Sequence, residues 1–330
     1  MGELVAGVWR RTGIDTVLSD GVLKRPASVF RDWVTPDGVS PNGGRGFAAE
    51  PDRYHLYVSW ACPWAHRTLI MRNLKGLGDL IGVSIVHWLM GEDGWTFAEA
   101  PGVVPDMVNG VERLRDLYTL AEPECTSRVT VPVLWDKTLR TIVSNESADI
   151  LRMFNSAFDG LGAKAGDYYP QPLRAEIDAV NARIYDSLNN GVYKAGFAAS
   201  QCAYEESVAA VFDTLDWLEA RLKSRRYLLG DVLTEADVRL FPTLVRFDAV
   251  YFGHFKCNLR ALGDYPALGD YTRALYQHPD VRPTVNLAHI KGHYYGSHPW
   301  LNPSGVVPVG PDLDFDAPLS PLRSSAASGA

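Results

Sequence analysis

The sequence predicts two halves of different class, an α/β half followed by an all-α half. Three observations carry that expectation. A β-type run, Tyr54-His55-Leu56-Tyr57-Val58, hands over to a helical run at 68–75 through Ser59-Trp60-Ala61-Cys62-Pro63. Strand-like and helix-like stretches keep alternating to about residue 154, the pattern of an α/β sheet. From residue 172 onward only helical periodicity remains. Leu173, Ile177, Val180, Ile184 and Leu188 recur at helical spacing, as do Val208, Val211, Phe212, Leu215, Leu218 and Leu222.

Residues 1–50 are polar and turn-rich, with Pro36-Asp37-Gly38 and Pro41-Asn42-Gly43-Gly44 as breakers, and read as an arm lying over the body. The α/β domain is expected over 51–160, with a first strand at 54–59 and a first helix at 63–75. Gly82-Val83-Ser84-Ile85-Val86-His87-Trp88 is β-branched and bounded by glycine, so it reads as a second strand. Residues 91–130 form a long, irregular connection, and connections of that length usually have a task. It holds Gly94-Trp95-Thr96-Phe97, whose tryptophan either roofs a ligand or plugs the core.

In Arg128-Val129-Thr130-Val131-Pro132-Val133-Leu134-Trp135 a proline interrupts a β run, which marks an edge or a special turn. A cis peptide at Pro132 would turn the Val131 backbone toward the Cys62 loop, although cis is the minority state of X–Pro bonds. A hairpin of 133–135 with 141–143 follows. Ser144-Asn145-Glu146-Ser147 then opens a helix through about Phe154. Its first-turn N–H groups and hydroxyls suit a carboxylate ligand, and plain N-capping by Ser144 or Asn145 is compatible with that. The order is βαβ then ββα, a sheet of about four strands.

An all-α domain is expected over 161–313, with helices at 172–190, 203–224, 235–252 and 265–277. Thr234-Glu235-Ala236-Asp237 has the capping pattern of a helix start. Residues 314–330, rich in Pro, Ser and Ala, read as a disordered tail.

Of 330 residues, 46% are hydrophobic and 22% charged, the balance of a globular protein with a sizeable core. The net charge of −7 argues against a nucleic-acid binder that relies on a basic surface. No apolar run approaches ~18 residues, so no membrane span is expected. Met1-Gly2-Glu3-Leu4-Val5-Ala6 has no basic-then-apolar leader pattern, and position 6 lacks the Ser or Thr of a myristoylation motif. The four cysteines, Cys62, Cys125, Cys202 and Cys257, form no Cys-x-x-Cys pair and no zinc spacing. They suit a reducing, cytoplasmic setting.

Cys62 stands where the strand gives way to the helix, with Pro63 at the first helical position, where a missing N–H costs nothing. The helix start favours a thiolate, the reactive form of cysteine; the plain alternative is a buried, inert thiol. Ala65 occupies the place of a resolving cysteine, so a mixed disulfide on Cys62 must be resolved by an external thiol. His289, His293 and His298 lack a carboxylate or cysteine to complete a ligand set, and no metal is expected. Cys125, Cys202 and Cys257 read as structural or incidental.

Cys62-Pro63-Trp64-Ala65 and Val131-Pro132 in an α/β half, followed by Leu229-Gly230-Asp231-Val232-Leu233-Thr234-Glu235-Ala236-Asp237 in a helical half, resemble a cytosolic glutathione transferase. The match narrows with Ser59–Arg67, Gly94–Phe97, Asn189–Ala198 and His289–His298. Those four motifs, in order, with Asn302-Pro303 and Val307-Pro308-Val309-Gly310-Pro311 after them, resemble the glutathionyl-hydroquinone reductases, or Xi-class glutathione transferases. The resemblance implies a thioredoxin-like N-terminal domain with Cys62 as nucleophile. It implies a cis Pro132, with the Val131 backbone pairing with the cysteinyl part of glutathione. Glu146 and Ser147 would bind the γ-glutamyl end, and Trp95 and Arg128 would hold the tripeptide. Tyr193 and Tyr294, from the helical domain, would face the Cys62 sulfur across a cleft that takes the quinol. Tyr294 and Tyr295 are adjacent and the residues alone do not choose between them; the family pattern favours Tyr294. Glutathione would be the co-substrate and the protein a homodimer.

The implied reaction is reductive removal of glutathione from a glutathionyl-hydroquinone through a Cys62–glutathione disulfide. Phenols titrate near ~10, so both tyrosines would be protonated donors at neutral pH. Two other functions fit less of the pattern. An Omega-like thiol transferase or dehydroascorbate reductase needs Cys62 but not the tyrosine pair. A non-enzymatic binding module of the same fold needs neither.

Overall fold

The structure, a computed structural model, describes residues 2–13, 18–19 and 21–324. They divide into two units, one drawn from Met1–Thr16, Pro26–Gly166 and Asn286–Pro299, the other from Val17–Arg25, Asp167–Val285 and Trp300–Ala330.

The first unit opens with a hairpin, β1 (Gly2–Val5) and β2 (Val8–Arg11). In the second unit, β3 (Leu18–Ser19) pairs with β4 (Val22–Leu23). Back in the first, β5 (Trp33–Thr35) pairs in parallel with β6 (Gly46–Ala48). The central sheet is then laid down in order: β7 (Tyr54–Val58), α1 (Pro63–Leu74), β8 (Ile81–Ile85), α2 (Leu114–Ala121), β9 (Ser127–Arg128), β10 (Val133–Asp136), β11 (Thr141–Ser144) and α3 (Ser147–Ser156). Its strand order is β11-β10-β7-β8, with β7 and β8 parallel and the other pairs antiparallel. Every residue of β7 and β10 is buried, so these central strands are covered on both faces, and their two polar residues have partners, His55 in Ser84 and Asp136 in Arg53. Each fully buried aliphatic or aromatic side chain contributes roughly 1.5–3 kcal/mol.

The second unit is helical: α4 (Arg174–Ile184), α5 (Gly191–Gly196), α6 (Gln201–Leu222), α7 (Glu235–Arg246) and α8 (Pro266–Tyr276). The expected helix at 172–190 is α4 prolonged by a π turn, Tyr185–Asn189, and the one at 235–252 is α7 prolonged by another, Phe247–Tyr251. The Val208, Val211, Phe212, Leu215, Leu218 and Leu222 stripe of α6 is buried throughout.

Four expectations are corrected. The connection at 91–130 is not wholly irregular, because Leu114, Leu117 and Tyr118 bury one face of α2. The arm at 1–50 is divided: β1 pairs with both β2 and β9 in the first unit, whereas the Gly21 carbonyl and Arg25 bond Ala199 and Asn190 in the second. Asn286–Pro299, expected in the helical domain, belongs to the first unit and holds α9 (Leu287–Ser297). The described part of the tail is built into the second unit. Its α10 (Pro321–Ser324) carries Arg323, 4% exposed, whose guanidinium meets Asp270 at 3.0 Å and donates to the Leu222 and Arg225 carbonyls. Phe315 stacks on Tyr276. One buried cation with these partners outweighs a composition that suggests disorder. Residues 325–330 of that expected tail lie outside the described residues.

Among the described residues, no helix is long and apolar enough to cross a membrane.

Candidate active site

The end of β7 turns sharply: the Cys62 N–H donates to the Ser59 carbonyl at 3.2 Å, and Ser59 Oγ accepts from the Ala61 N–H. Cys62 is the N-cap of α1, in extended conformation (φ −75°, ψ 120°), with Pro63 following at the first helical position. Its carbonyl accepts the first helical bond, from His66 N–H at 3.0 Å. The side chain is partly exposed, and the thiol donates to the Val131 carbonyl at 3.5 Å. The Val131–Pro132 peptide is cis. The turn is also tethered through Trp60, whose Nε1 donates to the Gly102 carbonyl.

The loop that presents Val131 is fixed from behind. Tyr118 Oη donates to the Thr130 carbonyl at 2.8 Å and accepts from the Thr130 N–H at 3.1 Å, while Asn145 Nδ2 donates to the same oxygen. Burial raises the Tyr118 pKa, which keeps its proton available for that bond. The sequence reading misses Tyr118 and names Asn145 only as a capping candidate, a place that Glu146 takes. The apolar spacing of Leu114, Leu117 and Tyr118 was the readable signal for the helix that carries Tyr118.

At the start of α3, Glu146 is the N-cap. One carboxylate oxygen accepts from Ala148 N–H at 3.1 Å and the other from Ser28 Oγ at 3.0 Å. Ser147 is buried at the first helical position. Arm residues border this start as well. The Phe30 carbonyl accepts from the Asn145 N–H and the Phe30 N–H donates to Asn145 Oδ1, and Arg31 grips Asp149 with two bonds of 2.8 and 2.9 Å.

Trp95 is 6% exposed and stacks on His293, with centroids 4.8 Å apart and planes at 24°. Arg128 ends β9, paired across from Glu3. Tyr294 lies on α9, 1% exposed, between the rings of His293 and His298; its neighbour Tyr295 is partly exposed. The first unit thus gathers Cys62, Trp95, Arg128, Val131, Pro132, Glu146, Ser147 and Tyr294. Tyr193 belongs to the second, on α5. Its ring lies in an aromatic cluster with Phe197, Tyr251 and Phe255, and the Arg25 guanidinium stands over it at 5.5 Å.

The other three cysteines contrast with Cys62. Burial pushes the Cys257 thiol up to about 12 and raises Cys125; beside Cys202, Glu206 raises the thiol of that exposed residue.

Family models agree with this layout. The N-terminal domain of glutathione S-transferases matches residues 61–157 and their C-terminal domain matches 202–274. The chain is 56% identical to glutathionyl-hydroquinone reductase PcpF of Sphingobium chlorophenolicum, over 94% of this chain and 96% of that one. It is 57% identical to glutathionyl-hydroquinone reductase YqjG of Escherichia coli, over 96% and 98%. The glutathione-bound structure of YqjG superposes with a TM-score of 0.90, covering 96% of this chain and 98% of that chain at 54% identity. A Xi-class transferase from Natrialba magadii gives 0.91, covering 97% of each at 48% identity. The chain belongs to the Xi-class glutathione transferases. Its fold is therefore the thioredoxin-like domain followed by the helical transferase domain.

The three histidines of this Xi-class chain have visible work. His289 Nε2 meets the Pro101 carbonyl at 2.7 Å and His293 Nδ1 meets the Trp88 carbonyl at 2.9 Å; His298 packs its ring against His293 and Tyr294. Among the described residues, no group of three or more His, Cys, Asp or Glu side chains stands where it could hold a metal ion.

Proposed function

We propose that this protein reduces glutathionyl-hydroquinones to hydroquinones with glutathione as co-substrate, and that Cys62 is the nucleophile. The observation that carries the reading is the placement of Cys62 at the start of α1 beside the Val131 carbonyl, while the three other thiols are each pushed toward the protonated form. The near full-length likeness to two proteins named glutathionyl-hydroquinone reductase supplies the substrate class.

In the first half-reaction the Cys62 thiolate attacks the sulfur of the conjugate. The S–S bond forms, the aryl C–S bond breaks, and its electron pair stays on the ring carbon, which takes a proton. Tyr294 and Tyr193 are assigned as the phenols that steady the ring hydroxyls and deliver that proton. In the second half-reaction a glutathione thiolate attacks the mixed disulfide, releasing oxidised glutathione and restoring the Cys62 thiolate. One conjugate and one glutathione give one hydroquinone and one oxidised glutathione, so the electrons balance. Two half-reactions through one covalent intermediate predict ping-pong kinetics.

Trp95, Arg128, the Val131 backbone and the start of α3 at Glu146 and Ser147 are assigned to the tripeptide. Under the same reading the enzyme is a cytoplasmic homodimer, which light scattering and fractionation test.

The deciding experiment is glutathione-dependent release of hydroquinone by wild type, Cys62→Ala, Tyr193→Phe and Tyr294→Phe. Loss in Cys62→Ala and in both tyrosine variants, with a glutathione adduct trapped on wild-type Cys62, is expected. Disulfide exchange without hydroquinone release in the wild type would replace this reading by a thiol transferase.

A further inference from the structure

α9 is docked by a stripe that its own sequence lays out. His289, His293 and Ser297 are four apart, so they share one face of the helix. Each bonds a backbone group of the connection between β8 and α2. His289 Nε2 takes the Pro101 carbonyl, His293 Nδ1 the Trp88 carbonyl, and Ser297 Oγ accepts from the Met90 N–H at 2.9 Å. Beside the stripe Gly292 and Gly296 leave the helix surface flat, and Trp88 lies against it; a Cβ at either glycine would stand 3.1 Å from the indole. Bulk there would push the helix off its seat.

His293 is the centre of this arrangement. A carbonyl only accepts, so the bond to Trp88 requires the ring proton on Nδ1. One ring face lies on Trp95, and the ring meets Tyr294 edge-on, with centroids 5.3 Å apart at 74°. The side chain is 8% exposed. It thus touches two residues assigned to different tasks, one on glutathione and one on the quinol, which come from distant parts of the sequence.

We propose that His293 is a positioning residue for the reductase reaction, its hydrogen bond to the Trp88 carbonyl setting the rotation of α9 and hence the aim of Tyr294, and its ring holding Trp95 in place for glutathione. This rests on the assignments of Tyr294 and Trp95 made above. A displacement of about 1 Å at a reacting group costs on the order of 100-fold in rate, so a tether on the residue next to Tyr294 in sequence has leverage over turnover.

The two contacts separate by substitution. His293→Phe keeps a ring over Trp95 and loses the bond to Trp88. It is expected to lower kcat for hydroquinone release ~10-fold or more, leaving KM for glutathione in disulfide exchange with 2-hydroxyethyl disulfide within ~2-fold. His293→Asn restores an N–H near the Nδ1 position and removes the ring. It is expected to recover most of kcat while raising that KM several-fold. Parallel changes of kcat and KM in both variants, or no change in either, would overturn the proposal in favour of a merely structural histidine. If either variant fails to fold, Ser297→Ala loosens the same helix from Met90 and is expected to lower kcat; an unchanged kcat there overturns the helix half.

A double-mutant cycle separates the proposal from the reading beneath it. In a Tyr294→Phe background, His293→Phe should cost no further kcat. A full further loss overturns the role of His293 while Tyr294 keeps its own. Full activity of Tyr294→Phe alone overturns the assignment of Tyr294, and the helix half of the proposal with it.

Discussion

Two helices, one in each unit, begin in opposite ways. At the start of α7, Asp237 is fully buried and its carboxylate accepts four bonds, from Leu228 N–H, Thr234 N–H, Thr234 Oγ and Tyr271 Oη, all between 2.8 and 3.0 Å. At the start of α1 the N-cap is Cys62, whose side chain makes no capping bond to the helix and sets its sulfur beside a carbonyl instead. The first start uses its positive end to hold the fold together. The second has a cysteine at the cap, with its sulfur 3.5 Å from the Val131 carbonyl. A helix N-terminus is thus a fixed resource: at α7 the first-turn Asp237 ties it to its surroundings, and at α1 the cap position is given to a cysteine.

The largest effect that sharpens this contrast is Cys62→Ala. Turnover should fall ~1,000-fold or more, since the covalent route is gone, while the melting temperature stays within ~2 °C of wild type. A large drop in melting temperature would break the contrast by showing that Cys62 also holds the fold. Asp237→Ala should do the reverse. It strands two backbone N–H groups and a phenol, which costs about 3 kcal/mol or more in urea titrations, with kcat per folded molecule unchanged.

A smaller, pH-dependent effect comes from His55, on the strand that feeds α1. Its Nε2 bonds Ser84 Oγ at 2.9 Å, and burial pulls its pKa down from 6.5 to about 4. Between those values the unfolded chain binds a proton that the folded chain refuses. Stability is therefore complete above pH ~6.5 and falls as the pH drops toward 4, by at most about 3 kcal/mol. His55→Gln should flatten the fall in melting temperature over that window; an unaltered slope would locate the acid sensitivity elsewhere. The smallest effect belongs to the third helix start. Glu146→Ala removes the α3 cap and the Ser28 contact, for about 1 kcal/mol of stability, and should raise KM for glutathione in a disulfide-exchange assay.

The central sheet and the long helices were legible because their signals are local. The β-type run Tyr54–Val58, the Pro63 start and the stripe of α6 each report a structure through neighbours close in sequence. The cis peptide at Pro132 was implied by the family resemblance; the residues alone marked only an edge or a special turn. Three features escaped because their causes are distant in sequence. Arg323 is ordered by Asp270, the Gly21 segment by Ala199 and Asn190, and α9 by backbone groups of residues 88–101. The four-residue spacing of His289 and His293 stands in the sequence, but that their ring nitrogens meet the Pro101 and Trp88 carbonyls is known only from the fold.

The return of α9 to the first unit has a consequence for how the protein is made. Cys62 and the sheet that carries it leave the ribosome early, but Tyr294 is encoded more than a hundred residues later. At typical elongation rates that is a delay on the order of ten seconds. During that interval the nascent first unit holds its thiol with the seat at Trp88 and Trp95 still uncovered. A chain stopped at residue 166 should therefore be a poor independent domain, sticky at that seat and rescued by supplying residues 286–299 as a peptide. Completion of the first unit is coupled to synthesis of the chain as far as α9.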